Sequence, residues 1–183
     1  SKDLFPKVVV WESTRACNFA CVHCRAVAQK QADAKQLTTC EVIGLVDELA
    51  DFCKPLFIIS GGDPLLRSDV FEVASYASGK GLRVVMSPSG SNISSEVVAK
   101  LKASGVQMIS VSLDGSSAAV HDGFRQVPGA FNLALSNMKY ACQGGLAFRV
   151  NTTVTKHNLH DLPNILKLAV EVGAQEWDVF LLV

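Results

Sequence analysis

The chain is 183 residues long and carries 17 Lys and Arg against 17 Asp and Glu, a formal net charge of +0. Hydrophobic residues make up 49% and charged ones 19%, which excludes a disordered chain and suits one domain with a well-buried core. The balanced charge excludes bulk attraction to nucleic acid or anionic lipid as its principle, and no run approaches the roughly 18 to 20 apolar residues of a membrane span.

The opening, SKDLFPKVVVWE, is too short and too interrupted for a signal peptide, and its second half, 8–12, reads as a strand. A long link over 13–39 follows and holds Cys17, Cys21 and Cys24. The pattern over 40–52 is helical, with Val42, Ile43, Leu45, Val46, Leu49 and Ala50 on one face. Strands are then expected at 56–60, 83–87, 108–113, 147–154 and 177–183, separated by helices at 70–77, 95–103, 131–142 and 162–172. Gly79, Gly81, Gly105, Gly144, Gly145 and Gly173 fall just after helices, where left-handed caps are wanted.

Such β-α alternation implies parallel strands with right-handed crossovers, and the near-continuous apolar strands imply cover on both faces. An open doubly wound sheet and a (β/α) barrel both satisfy the pattern. Six strands cannot close the standard eight-stranded barrel, so a barrel here is a partial one. The chain stops in FLLV, inside or at the end of the sixth strand, so residues 1–183 are expected to be the core excerpt of a longer protein. Two links are long, 13–39 and 114–129, and both leave C-terminal strand ends, where α/β folds place their sites.

The sequence has 6 cysteines, and a secreted, disulfide-stapled domain would spread them more evenly. With no export signal, a reducing cytoplasm and a metal-binding cluster are the simpler reading. Cys53 and Cys142 are expected to be buried small residues, and Cys40 a residue at a helix start. Cys17-Asn-Phe-Ala-Cys21-Val-His-Cys24 places three thiolates on one loop, where they can wrap a compact soft-metal centre. Three thiolates suit a cubane iron–sulfur cluster with one iron left open, whereas a cluster built for electron transfer takes four. Zinc held by the three cysteines and His23 is the rival, weakened because His23 and Cys24 are adjacent; inert cysteines are the remaining alternative.

C-x3-C-x2-C after the first strand resembles the radical S-adenosylmethionine superfamily. The flanking WESTRACNFACVHCRA is similar to its SPASM-like subgroup, which includes peptide-maturing enzymes and enzymes of haem and haem d1 biosynthesis. The likeness continues through SGGDPLLR, SLDG, HDGFRQVPGAF and NTTVTKHN. It implies a partial (β/α)6 TIM-type barrel, with residues 1–183 as the core domain. It implies a [4Fe-4S] cluster on Cys17, Cys21 and Cys24, and S-adenosylmethionine chelated by the open iron. The implied chemistry is reductive cleavage of that cofactor to a 5′-deoxyadenosyl radical, which abstracts hydrogen from a peptide or tetrapyrrole side chain. An electron donor such as flavodoxin or ferredoxin is expected, in the cytoplasm, with no nucleic acid and no membrane.

The same resemblance assigns the cofactor-binding loops. His23 lies beside the adenine. In Ser60-Gly61-Gly62-Asp63-Pro64, Gly61 and Gly62 permit close backbone approach. There Asp63 meets the ligand ammonium, although the family often has Glu at that place. Ser112 faces the ribose, while Asp114-Gly115 is read as a turn. Arg125 pairs with the methionine carboxylate, its alternative being a surface pair with Asp122. His121 and Asp122 order the loop. Ser87 and Ser89 replace a TNG-like sequence of the family, and Asn151 and Leu182 are adenosine-side candidates. A non-catalytic iron–sulfur electron-transfer or scaffold domain would need a fourth cysteine and none of these loops. A nucleotide-binding Rossmann domain would need a Gly-rich turn after the first strand.

Overall fold

The computed structural model describes residues 4–24 and 26–182; the expected end of the last strand at Val183 lies outside them. Strands β1 (Val8–Glu12), β2 (Leu56–Ser60), β3 (Arg83–Met86), β4 (Val106–Ser112), β5 (Ala147–Val154) and β6 (Glu176–Leu181) form one 6-stranded sheet in sequence order, every neighbouring pair parallel. This order decides between the two topologies. A doubly wound sheet reverses its strand order part-way, whereas six strands in sequence with right-handed crossovers place every helix on one face. The other face curls inward, giving a partial TIM-type barrel whose edges are β1 and β6.

The helices are α1 (Thr39–Phe52), α2 (Val70–Gly79), α3 (Ser95–Ala103), α4 (Ala118–Arg125), α5 (Ala130–Gln143) and α6 (Leu162–Glu171). The expected loop over 114–129 is therefore half helical. Its α4 is capped by Ser117, whose hydroxyl accepts the Val120 N–H. α1 begins with a full capping box between Thr38 and Glu41. Left-handed caps occur at Gly81, Gly105, Gly145 and Gly173, but not at Gly79, which is the last residue of α2, or at Gly144.

The main core lies between sheet and helices. Trp11, Phe57, Ile59, Val84, Met86, Ile109, Phe148 and Val150 meet Val42, Val46, Val73, Leu101, Met138 and Ile165 from the helices. Strand alternation turns the intervening residues toward the barrel interior. Register pairs Glu12 with Ser60, Ser112 with Asn151, and Asn151 with Asp178, so the rim at the strands' C-terminal ends is polar.

The 13–38 link is closed at both ends by one buried side chain. Arg67 donates from Nη1 to the Ser13 carbonyl and from Nη2 to the Leu37 carbonyl, each at 2.9 Å. Its Nε and Nη2 also grip both oxygens of Asp69, at 2.6 and 2.8 Å, and its guanidinium carbon lies 4.9 Å from the Trp11 ring centre. A lysine cannot reproduce this fork. Arg67→Lys is expected to cost about 2 kcal/mol in urea unfolding, as charge-assisted bonds are lost. It should also speed proteolytic cleavage within 13–37; unchanged stability and cleavage would remove the clamp.

Candidate functional site

The cysteine loop is pinched at its base. Ala16 and Gln29 form an isolated parallel bridge, with Cys17 N–H donating to Gln29 O at 2.9 Å and Gln29 N–H to Arg15 O at 2.8 Å. Between these points the chain turns at Cys21, whose carbonyl accepts the Cys24 N–H at 3.1 Å. Phe19 anchors the loop, packing with Cys17 and Ala130 and with the half-buried Val127 and Leu133.

All three cysteines are free thiols, and together with Phe19, His23, Ser60, Gly61, Gly62, Ser89, Arg125 and Thr153 they line a cavity of about 420 Å³. That volume is within the usual range for small-molecule sites. Glu12, Ala26, Ala28, Phe180, Leu181 and Leu182 complete the wall. Among the described residues no group of three or more His, Cys, Asp or Glu side chains is placed to hold a single metal ion. Three free thiols on one loop are the donor set that a cubane, which spreads its thiolates over separate irons, would take. Burial pushes the Cys17 thiol above its ordinary pKa, against the pull of the Phe19 N–H at 3.4 Å. A bound cationic centre would relieve that cost.

His23 stacks on Phe124 with ring centres 4.3 Å apart, and its Nδ1 is buried with no partner. Burial, and then the Arg125 guanidinium, hold its pKa below the usual value, so it presents a neutral ring. Gly61 and Gly62 do face the cavity, yet the backbone they admit is that of the cysteine loop. A Cβ on Gly61 would strike the Thr14 carbonyl oxygen, and one on Gly62 the carbonyl oxygens of Ala16 and Arg15. The Gly62 and Asp63 N–H groups donate to Thr14 O and Ala16 O at 2.6 and 2.7 Å.

The structure places the remaining candidates as follows. Asp63 is fully buried, and its oxygens accept the Leu65 N–H at 3.1 Å and the Gly90 N–H at 2.8 Å. It locks the loops after β2 and β3 together and is not among the residues lining the cavity. Asp114 is no turn residue: it is 0% exposed and receives Arg125 Nε at 2.6 Å and Nη2 at 2.5 Å. Arg125 therefore has most of its fork filled, leaving Nη1 pointing at Cys21 Sγ, 3.5 Å away. Asp122 makes no pair with Arg125; it accepts the Gly129 and Phe131 N–H groups, both at 2.7 Å, and caps α5. Ser112 lies apart from the main cavity, in a hollow of about 10 Å³ shared with Phe19 and Ser89. Ser87 N–H extends the sheet ladder to Ile59 O. Cys142 is exposed on α5 and Cys53 half-buried, so neither is the buried small residue expected. Asn151 keeps a buried Oδ1 without a partner, and Leu182 borders the cavity.

Glu12, Phe19, Ser60, Thr153 and Phe180 also line the cavity and were not singled out in the sequence. Strand parity contained part of the signal, since Glu12 with Ser60 and Thr153 with Phe180 are register partners at C-terminal strand ends.

The family model of the Radical SAM superfamily matches residues 11–169. The chain belongs to this superfamily. The chain is also similar to curated proteins over most of its length. The AdoMet-dependent heme synthase of Nitratidesulfovibrio vulgaris is 48% identical over 177 residues, covering 97% of this chain and 48% of the relative. Mycofactocin maturase MftC of Mycolicibacterium smegmatis is 35% identical over 170 residues, 92% of this chain and 43% of the relative. Streptococcus suis SuiB bound to S-adenosylmethionine has the same fold, with a TM-score of 0.83 at 16% identity over 97% of this chain and 41% of that one. The chain spans about half the length of the curated relatives it matches. The cofactors of the radical SAM core are a [4Fe-4S] cluster and S-adenosylmethionine. Among the described residues no helix is long and apolar enough to cross a membrane.

Proposed function

We propose that this radical SAM core serves hydrogen abstraction from a tetrapyrrole side chain. The observation that carries the reading is one cavity of about 420 Å³ walled by three free cysteines of a single loop, the paired glycines after β2 and a neutral imidazole. When bound, the cluster and S-adenosylmethionine supply one-electron cleavage of a carbon–sulfur bond and a radical able to take hydrogen from carbon.

The chain's own residues do the rest. Cys17, Cys21 and Cys24 hold the cluster. The His23 ring, backed by Phe124, offers a flat neutral face to an adenine. The backbone at Gly61 and Gly62 shapes the floor beside the thiols, and Phe180, Leu181 and Leu182 form an apolar rim. Ser89, on the cavity wall, offers a hydrogen bond toward a ribose. Beyond His23 a second hollow of about 420 Å³, bordered by Phe124, His157 and Leu182, leaves room for a substrate side chain. A tetrapyrrole is favoured because identity to the heme synthase, 48%, exceeds identity to the peptide maturase, 35%. A peptide is the second reading. The reducing electron comes from a donor such as flavodoxin or ferredoxin.

Anaerobic reconstitution should load about four iron and four sulfide per chain. Ala at Cys17, Cys21 or Cys24 should abolish loading, while Ala at Cys53 or Cys142 should not. With dithionite, 5′-deoxyadenosine should form, and mass loss should appear in an iron porphyrin bearing propionates and not in a peptide. Tight zinc without charge-transfer absorption would overturn the cluster, and mass loss in a peptide alone would overturn the tetrapyrrole.

A further inference from the structure

Arg125 sits in the last turn of α4 and is only 7% exposed. Its partner Asp114 is itself immobilised from four directions. One carboxylate oxygen takes Arg125 Nε and Nη2 at 2.6 and 2.5 Å, and the other takes the Thr153 N–H at 2.7 Å. The Asp114 N–H donates to His121 Nδ1 at 3.0 Å, and its carbonyl accepts from Asn158 Nδ2 at 3.0 Å. β4, β5, α4 and the turn after β5 thus fix one guanidinium. The nitrogen that Asp114 leaves over, Nη1, lies 3.5 Å from Cys21 Sγ. A guanidinium donates through a rigid fork, so the Asp114 grip sets the direction of the third donor.

We propose that Arg125, oriented by Asp114, sets the reduction potential of the cluster by donating a charge-assisted hydrogen bond to the Cys21 thiolate. The inference rests on the reading that Cys17, Cys21 and Cys24 hold an iron–sulfur cluster. Hydrogen bonds to the sulfurs and local charge are among the levers that set such potentials. Reduction adds one electron to the cluster, from the 2+ to the 1+ state, with no bond made or broken. The electron comes from a low-potential flavin or iron–sulfur donor, or from dithionite in the test. The added negative charge spreads onto the thiolates, so a cation at Cys21 favours the reduced state. Asp114, one residue layer further out, opposes it more weakly. Phe19 N–H supplies the neutral counterpart at Cys17, 3.4 Å from its sulfur.

The test is a redox titration of the reconstituted protein, followed by paramagnetic resonance without S-adenosylmethionine, so that cofactor binding cannot enter. The double variant Arg125→Gln with Asp114→Asn removes both charges and leaves no buried ion unpaired. It should lower the reduction equilibrium about tenfold, which for a one-electron couple is about 59 mV more negative. Asp114→Asn alone keeps the cation and removes its opponent, and should move the midpoint the other way. A purely structural pair would not produce opposite shifts. If the double variant does not fold, the sign of the Asp114→Asn shift carries the test. A loaded cluster whose midpoint is unmoved by these changes overturns this inference alone. A wild-type protein that loads no cluster overturns the reading of the cysteines, and this inference with it.

Discussion

Gly62→Ala is expected to destabilise the protein by on the order of 4 kcal/mol and to abolish cluster loading. The added methyl would overlap the Ala16 carbonyl oxygen and lie 2.7 Å from that of Arg15. Both obstacles are backbone, and they cannot swing aside as a side chain can. They are also held in place, since Ala16 O accepts the Asp63 N–H at 2.7 Å and Ala16 pairs with Gln29 across the base of the cysteine loop. Relief therefore requires the loop carrying Cys17, Cys21 and Cys24 to lift off the β2 turn. Gly44→Ala is the matched control, because nothing lies within 4 Å of its Cβ position inside α1. It should stabilise by up to about 1 kcal/mol through helix propensity alone. Urea unfolding of both variants, with iron content after reconstitution, checks the pair. A Gly62→Ala protein that binds iron and unfolds like the parent would show that the loops do not bear on each other.

The same residues show what a sequence can and cannot display. Strands β1, β2 and β5 were legible to the residue, because their β-branched and apolar runs are bounded by polar or turn residues. The three cysteines and the paired glycines were legible because their meaning lies in spacing along one loop. That both strand-end carboxylates are spent inside the protein was not legible. Asp63 and Asp114 both follow C-terminal strand ends, and their fates are decided by the Gly90 N–H after β3 and by Arg125 on α4. These partners are distant in sequence or lie within a helix that the sequence pattern hides. Helix α4 was hidden because it is short and contains Gly123, a residue that usually weakens a helix. The packing of β6 explains why its edge invites a further covering. Val179, Phe180 and Leu181 are exposed on both faces of a parallel edge strand, where cover on each face is the rule.

Lowering the pH from 6.5 toward 4 is expected to remove about 3 kcal/mol of stability through His121 alone. His121 is 1% exposed, and burial, followed by the Arg125 charge, lowers its pKa from 6.5 to about 4. The geometry gives the same direction independently. Its Nδ1 accepts the Asp114 N–H at 3.0 Å, which fixes the ring proton on Nε2. Protonation would place a second N–H against that donor. Between pH 6.5 and 4 the unfolded chain binds the proton and the folded one does not, so this stabilisation is complete above 6.5 and falls as pH drops through the window. His23, also depressed by burial, adds a smaller slope of the same sign. The depressed carboxylates Asp69 and Asp161 act lower, below their ordinary value of 3.8. His121→Asn supplies an acceptor near the Nδ1 position without a titrating ring. It should start less stable, because the smaller side chain leaves a gap, but should lose most of the slope between pH 6.5 and 4.5. Urea unfolding at half-unit intervals measures both lines. Equal slopes would place the acid sensitivity elsewhere. A flattened slope would show that the histidine holding Asp114, and through it the guanidinium at Cys21, is the group that acid disturbs first.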